Sequence, residues 1–201
     1  RVRAVLDRTR ARLTFARAID EPRATELAER FAATHRDPDA HALAVAVATA
    51  FPAFSMHAER HPDDFEDVSR EGIRFGRDRQ SYLAMLRADV GSSDGDRFQR
   101  ILRRFVSRER LRIAARELLP GRLGGADVDV TAREVSDLAE ACVEVALEEA
   151  EESVARRFGK PLREGGAPSR MVVLGMGKLG GRELNVGSDI DLLYVYDSDE
   201  G

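Results

Sequence analysis

Apolar positions recur at helical spacing along most of the chain and give way to short continuous runs only near its end. Residues 2–19 set Val2, Val5, Leu6, Leu13, Phe15, Ala16 and Ile19 between arginines, which predicts a helix. Pro22 interrupts that pattern, and residues 25–34 resume it with Leu27, Ala28 and Phe31. A turn is expected at residues 35–39, around Pro38. Residues 40–51 are alanine-rich and apolar almost all round, so a buried helix is predicted there. Pro52 starts or kinks the next turn. A helix then runs to about Arg60, and Pro62 ends it. Residues 63–90 hold two short helical stretches, the second with Tyr82, Leu83, Leu86 and Val90 on one face.

Two longer helices follow. Residues 96–119 place Phe98, Ile101, Leu102, Phe105, Ile113 and Leu118 on an apolar side. Opposite them stand Arg97, Arg100, Arg103, Arg104, Arg108, Arg110, Arg112 and Arg116. Pro120 and Gly121 stop this helix, and residues 121–126 read as a flexible link. Thr131 and Glu134 have the spacing of a capping box and predict the next helix start. Val135, Leu138, Ala139, Cys142, Val145, Ala146 and Val154 carry that helix to Phe158. Glu140, Glu144, Glu148, Glu149, Glu151 and Glu152 form its exposed side. After a loop, residues 171–174 read as a short buried strand. A glycine-rich turn follows, and then a second apolar run that opens with Asp189 and Asp191. The expected fold is therefore α+β and predominantly helical, with a helical region over 1–95 and a second domain beginning at 96. No internal repeat or low-complexity tract is present.

Composition narrows the class. Hydrophobic residues make up 43% and charged residues 34% of the 201, the balance of a soluble, helix-rich globular chain. A net charge of -4 stands against a nucleic-acid binder. The single cysteine, Cys142, excludes a disulfide framework and points to a reducing compartment, the cytoplasm. No apolar run approaches the length of a membrane span. Beginning with Arg1 and stopping just after a strand, the chain reads as a piece of a longer protein.

Three features compete for a chemical role. The arginine-rich helix can bind phosphate or a partner, or be a solvated face that pairs with the acidic helix over 131–158. Its polar side has no aromatics to stack bases. His57 and His61 have an i, i+4 spacing able to hold zinc, but no third ligand of recognised spacing lies near. Gly175, Gly177 and Gly180 match a dinucleotide fingerprint, with Asp197 as the ribose acid. That reading needs a full helix before the second strand, and residues 181–188 leave room for about two turns. The remaining reading is a metal–phosphate site. In a strand, Asp189 and Asp191 would share one face. Glycines that expose N–H groups beside two carboxylates suit a divalent ion carrying a phosphate.

Gly180 and Gly181, six further residues and then Ser188, Asp189, Ile190 and Asp191 resemble the nucleotidyltransferase signature of the DNA polymerase β superfamily. More narrowly, residues 175–185 and 188–192 are similar to the bifunctional glutamine synthetase adenylyltransferase/adenylyl-removing enzymes. Residues 102–118 resemble the helix that precedes the catalytic domain in that family. The likeness covers most of the chain, with its specific part in residues 98–200. That family carries two homologous nucleotidyltransferase domains. Glu183, Leu184 and Asn185 are similar to the N-terminal, adenylyl-removing copy; the other copy more typically has Glu-Leu-Gly-Tyr.

The resemblance implies phosphorolysis, in which phosphate attacks the adenylylated tyrosine of glutamine synthetase and releases ADP. It implies Mg²⁺ held by Asp189 and Asp191, and phosphate contacts from Gly180, Gly181, Ser188 and Lys178. It also implies ATP, ADP and phosphate as ligands, and glutamine synthetase and a PII signal protein as partners in nitrogen regulation. Three rivals stay open: the adenylyltransferase copy, another polymerase β-like enzyme such as a PII uridylyltransferase, and a non-catalytic docking module of helices. The superfamily uses a third carboxylate on a later strand. Asp197, Asp199 and Glu200 lie beyond the second strand and do not obviously replace it. The 201-residue chain alone is therefore expected to be inactive, and measured removal of AMP by it would refute this.

Overall fold

The computed structural model describes residues 2–73, 75–121 and 124–197. Nine α-helices lie among them: α1 (Val2–Ile19), α2 (Glu21–Phe31), α3 (Pro38–Ala50), α4 (Ser55–Arg60), α5 (Pro62–Asp67), α6 (Arg79–Val90), α7 (Gly95–Leu118), α8 (Val128–Phe158) and α9 (Gly177–Gly180). A 3₁₀ turn, Pro52–Phe54, and a π turn, Val68–Gly72, flank α4 and α5. Two strands, β1 (Met171–Gly175) and β2 (Leu192–Tyr196), pair antiparallel. The chain is mostly helical with one small sheet. No helix among the described residues is long and apolar enough to cross a membrane.

The chain divides into two compact units, Arg1–Gly76 with Ser107–Thr131, and Arg77–Val106 with Ala132–Gly201. Two of the three breaks fall inside α7 and α8, and the third lies between residues 76 and 77. In the first unit α3 is the central element. Its Ala40, Ala42, Leu43, Ala44, Val45, Ala46, Val47 and Ala48 are all buried, and α1, α2, α4 and α5 pack around it. A helix apolar on every side is stable only when covered on every side, and alanine lets the neighbours approach closely. Asp37 caps α3, its Oδ1 accepting the N–H groups of Asp39 at 3.0 Å and Ala40 at 2.8 Å.

Pro22 does not break a helix. It lies in the first turn of α2, where its missing N–H costs nothing, and Asp20 caps that helix by accepting the Arg23 N–H at 3.0 Å. The capping box is also corrected. Helix α8 starts at Val128, so Thr131 lies inside it, its Oγ1 donating to the Val128 carbonyl at 3.0 Å. Glu134 faces elsewhere, and its Oε1 accepts from the Arg77 N–H at 2.8 Å and the Tyr82 hydroxyl at 3.1 Å. A buried carboxylate gains more from two long-range donors than from one N-terminal N–H on its own helix.

Charges are buried as well as exposed. Arg12 is fully buried in the first unit, its guanidinium 2.7 Å from Asp39 Oδ1 and donating to the Asp39 carbonyl at 3.1 Å. Desolvation lowers the pKa of Arg12, and Asp39 opposes that shift. Arg112, expected on a solvated face, is buried too. It donates to Glu109 at 3.0 Å and to the Phe75 carbonyl at 2.9 Å. In the second unit the acidic side of α8 pairs with α6: Arg79 bonds Glu144, and Arg87 reaches Glu144 at 2.8 Å. Tyr82 stacks edge-on against Phe105, with ring centroids 6.3 Å apart.

His57, one of the two histidines at zinc spacing, has its Nε2 2.8 Å from Asp64 Oδ2. No group of three or more metal-ligating side chains occurs among the described residues. His35 is buried between Phe31 and Phe65. Burial pushes its imidazole below the ordinary value of 6.5, and His41 acts in the same direction, while the Phe31 carbonyl opposes both. The unfolded chain therefore takes up a proton at His35 more readily than the folded one. Stability from this group is intact above pH 6.5 and falls as pH drops through the folded value. Urea midpoints measured at pH 7.5 and 5.5 should show a loss at the lower pH, and a smaller loss in His35→Gln.

Candidate functional site

The site is built at one end of the β1–β2 pair. Register runs from Met171↔Tyr196 to Gly175↔Leu192. One rung beyond, the Met176 N–H donates to the Asp191 carbonyl at 2.9 Å. Between these points the chain makes the single turn of α9 and returns. Antiparallel pairing and a four-residue helix exclude the βαβ unit that a dinucleotide fingerprint requires. Asp197, the ribose acid of that reading, lies at the far end of the sheet. There it accepts from the Arg170 N–H at 3.0 Å and the Ser169 hydroxyl at 2.8 Å. Those bonds, the Arg170 N–H foremost, lower its pKa. Asp199 and Glu200 lie outside the described residues.

The glycines act here by their size. A Cβ on Gly180 would come within 2.6 Å of the Gly175 carbonyl oxygen, and one on Gly175 within 2.8 Å of the Leu179 side chain. Their absence lets α9 fold back onto the end of β1. The N–H groups of Gly180 and Gly181 are not exposed for a phosphate, as the sequence reading had them. They donate to the carbonyls of Met176 at 3.2 Å and Gly177 at 3.0 Å, because they close the helical turn. The Ser188 N–H likewise donates to the Asn185 carbonyl at 3.0 Å, leaving its hydroxyl as the group able to meet a ligand.

Asp189 and Asp191 also differ from expectation. The strand begins at Leu192, so both acids precede it, and strand alternation does not govern their directions. Both are exposed, as is Lys178 on α9, and Ser188 is half-buried. The flanking apolar residues do not make a buried strand. Val172, Leu174, Leu193 and Val195 are 43–53% exposed, and α9 is the element packed on β1. Hydrophobic runs report a preference for burial and cannot report whether a covering layer is present.

What the structure adds is the anchoring of the loop. Leu179, Leu184 and Val186 are buried, the Leu184 N–H donates to Ser136 Oγ at 3.3 Å, and Arg182 reaches Asp137 and Glu140 of α8. No sequence pattern marks Ser136 or Asp137 as partners of residues more than forty positions on. Asp189, Asp191 and the Ser188 hydroxyl are hard oxygen donors, the chemical type that Mg²⁺ takes with substrate phosphates completing its shell. Gly180→Ala should destabilise the second unit by about 1–3 kcal/mol, read from urea unfolding, because the carbonyl it meets cannot move aside like a side-chain tip.

A family profile described as glutamate-ammonia ligase adenylyltransferase (GlnE) matches residues 42–201. Curated relatives named bifunctional glutamine synthetase adenylyltransferase/adenylyl-removing enzyme are similar over about half of the chain. The protein of Pseudomonas aeruginosa is 47% identical over 105 residues, 52% of this chain and 10% of that relative. Those of Thioalkalivibrio sulfidiphilus and Nitrosococcus oceani are 44% identical over 105 residues and 48% over 97, covering 52% and 48% of this chain and 10% of each relative. The matched stretch thus spans about a tenth of the length of these relatives. With the profile matched from residue 42 to residue 201, the chain belongs to the glutamate-ammonia ligase adenylyltransferase (GlnE) family.

Proposed function

We propose that the turn from β1 to β2 is part of a polymerase β-like nucleotidyltransferase site that removes AMP from adenylylated glutamine synthetase. The observation that carries this reading is two exposed carboxylates, Asp189 and Asp191, at the end of the loop that follows a glycine turn folded against the end of β1. In the reaction a phosphate oxygen attacks the phosphorus of the tyrosyl-AMP ester. The bond from phosphorus to the tyrosyl oxygen breaks, giving ADP and the unmodified tyrosine. Bound Mg²⁺ would supply charge neutralisation and alignment of the two oxygens.

This chain's own groups have separable parts. Asp189 and Asp191 hold the ion. Lys178 and the Ser188 hydroxyl contact phosphate oxygens, the lysine as a point charge and the serine as a donor. Gly180 and Gly181 shape the turn, Gly180 by letting α9 lie against the end of β1. The likeness of Glu183, Leu184 and Asn185 to the adenylyl-removing copy is the ground for reading removal of AMP over its addition. The working assembly includes glutamine synthetase as substrate and a PII protein as regulator, in the cytoplasm. Among the described residues no third acidic group joins Asp189 and Asp191, and the 201 residues alone are expected not to turn over.

In a protein of the relatives' full length, Asp189→Asn and Asp191→Asn should each lower ADP release from adenylylated glutamine synthetase by about a hundredfold or more. Incorporation of AMP from ATP should stay close to wild type. Loss of incorporation with removal intact would transfer this chain to the adenylylating copy.

A further inference from the structure

The segment bearing Asp189 and Asp191 leaves α9 through Arg182, the one non-glycine residue with a left-handed backbone among those described (φ 58). Glycine would adopt that conformation without steric conflict, and an arginine holds it only where its side chain has a compensating contact. The contact is a fork. One terminal nitrogen lies 2.5 Å from Asp137 Oδ1 and the other 3.3 Å from Glu140 Oε1. These acids are i, i+3 on α8 and share a face. Glu140 also faces Arg79 at 3.6 Å. Two residues past Arg182, Leu184 is buried and its N–H donates to Ser136 Oγ, one position before Asp137.

The loop is thus fixed to α8 at Arg182 and Leu184 and to the end of β1 at Asp191, whose carbonyl accepts the Met176 N–H. The acids sit between those two anchors. We propose that Arg182 is a positioning residue: its ion pairs with Asp137 and Glu140 tie the loop to α8 and thereby set where Asp189 and Asp191 present their carboxylates. This rests on the reading of those two acids as metal ligands and deepens it by naming what fixes them. An incidental surface pair would influence neither the motion of the loop nor its affinity for a cation.

The test uses the 201-residue chain and four variants: Arg182→Gly, Asp137→Asn, the two combined, and Arg182→Lys. Arg182→Gly removes the guanidinium while suiting the left-handed backbone, so helical content by circular dichroism should be retained. Amide hydrogen exchange over 183–191 should speed up by about threefold or more in each single variant. The double variant should exchange no faster than either single, since both remove the same tie, and Arg182→Lys should fall between. Mn²⁺ affinity, titrated by electron paramagnetic resonance, should weaken by about tenfold in Arg182→Gly. Wild-type exchange in Arg182→Gly, or additive effects in the double variant, would overturn the tie. Loosened exchange with unchanged Mn²⁺ affinity would overturn the positioning role. A wild-type chain that takes up no Mn²⁺ would count against the metal reading itself, while the exchange data decide the tie separately.

Discussion

The close approach of Gly180 to the Gly175 carbonyl is the constraint on which the loop depends. No side chain fits between them, so α9 can lie directly on the end of β1. That turn reverses the chain and allows β2 to pair antiparallel with β1. The reversal leaves Asp189 and Asp191 at the mouth of the sheet instead of within it. The same closeness explains why the glycine N–H groups are engaged by the turn. Gly180 and Gly181 are the residues whose amides reach back to close that turn.

Charge is handled in two ways in this chain. In the first unit Arg12 with Asp39 and Arg112 with Glu109 are buried, and each arginine also donates to a backbone carbonyl. Pairs of this kind add little net stability over an apolar replacement, yet removing one partner leaves a desolvated charge behind. In the second unit Arg79, Arg87 and Arg182 meet acids of α8 nearer the solvent. Exposed pairs contribute about 0–1 kcal/mol each. Their structural effect is to fix direction: α6 and the glycine loop both take their bearings from one acidic helix.

Openness distinguishes the sheet from the helical core. Helix α3 is buried on every side, while the faces of β1 and β2 expose valine, leucine and tyrosine. The proposed site lies in the open part, where Asp189 and Asp191 are exposed. Within the second unit the loop is anchored on α8 through Ser136, Asp137 and Glu140.

Much of this was already legible in the amino-acid sequence. Helical spacing marked the helices to within a few residues, because apolar periodicity is a local property. The alanine-rich stretch of α3 declared its burial, and the glycines and paired acids were found by spacing alone. Partners were not legible. That Glu134 serves Arg77 and Tyr82, that Arg112 is buried, and that Arg182 reaches Asp137 depend on segments brought together from far along the chain. Strand direction was hidden for the same reason, since an apolar run has no sign of parallel or antiparallel pairing. The sequence by itself determined which segments are helical and where carboxylates follow glycines. Tertiary structure alone decided which groups those carboxylates, amides and guanidinium ions face, because pairing energies act through space and leave no local periodicity.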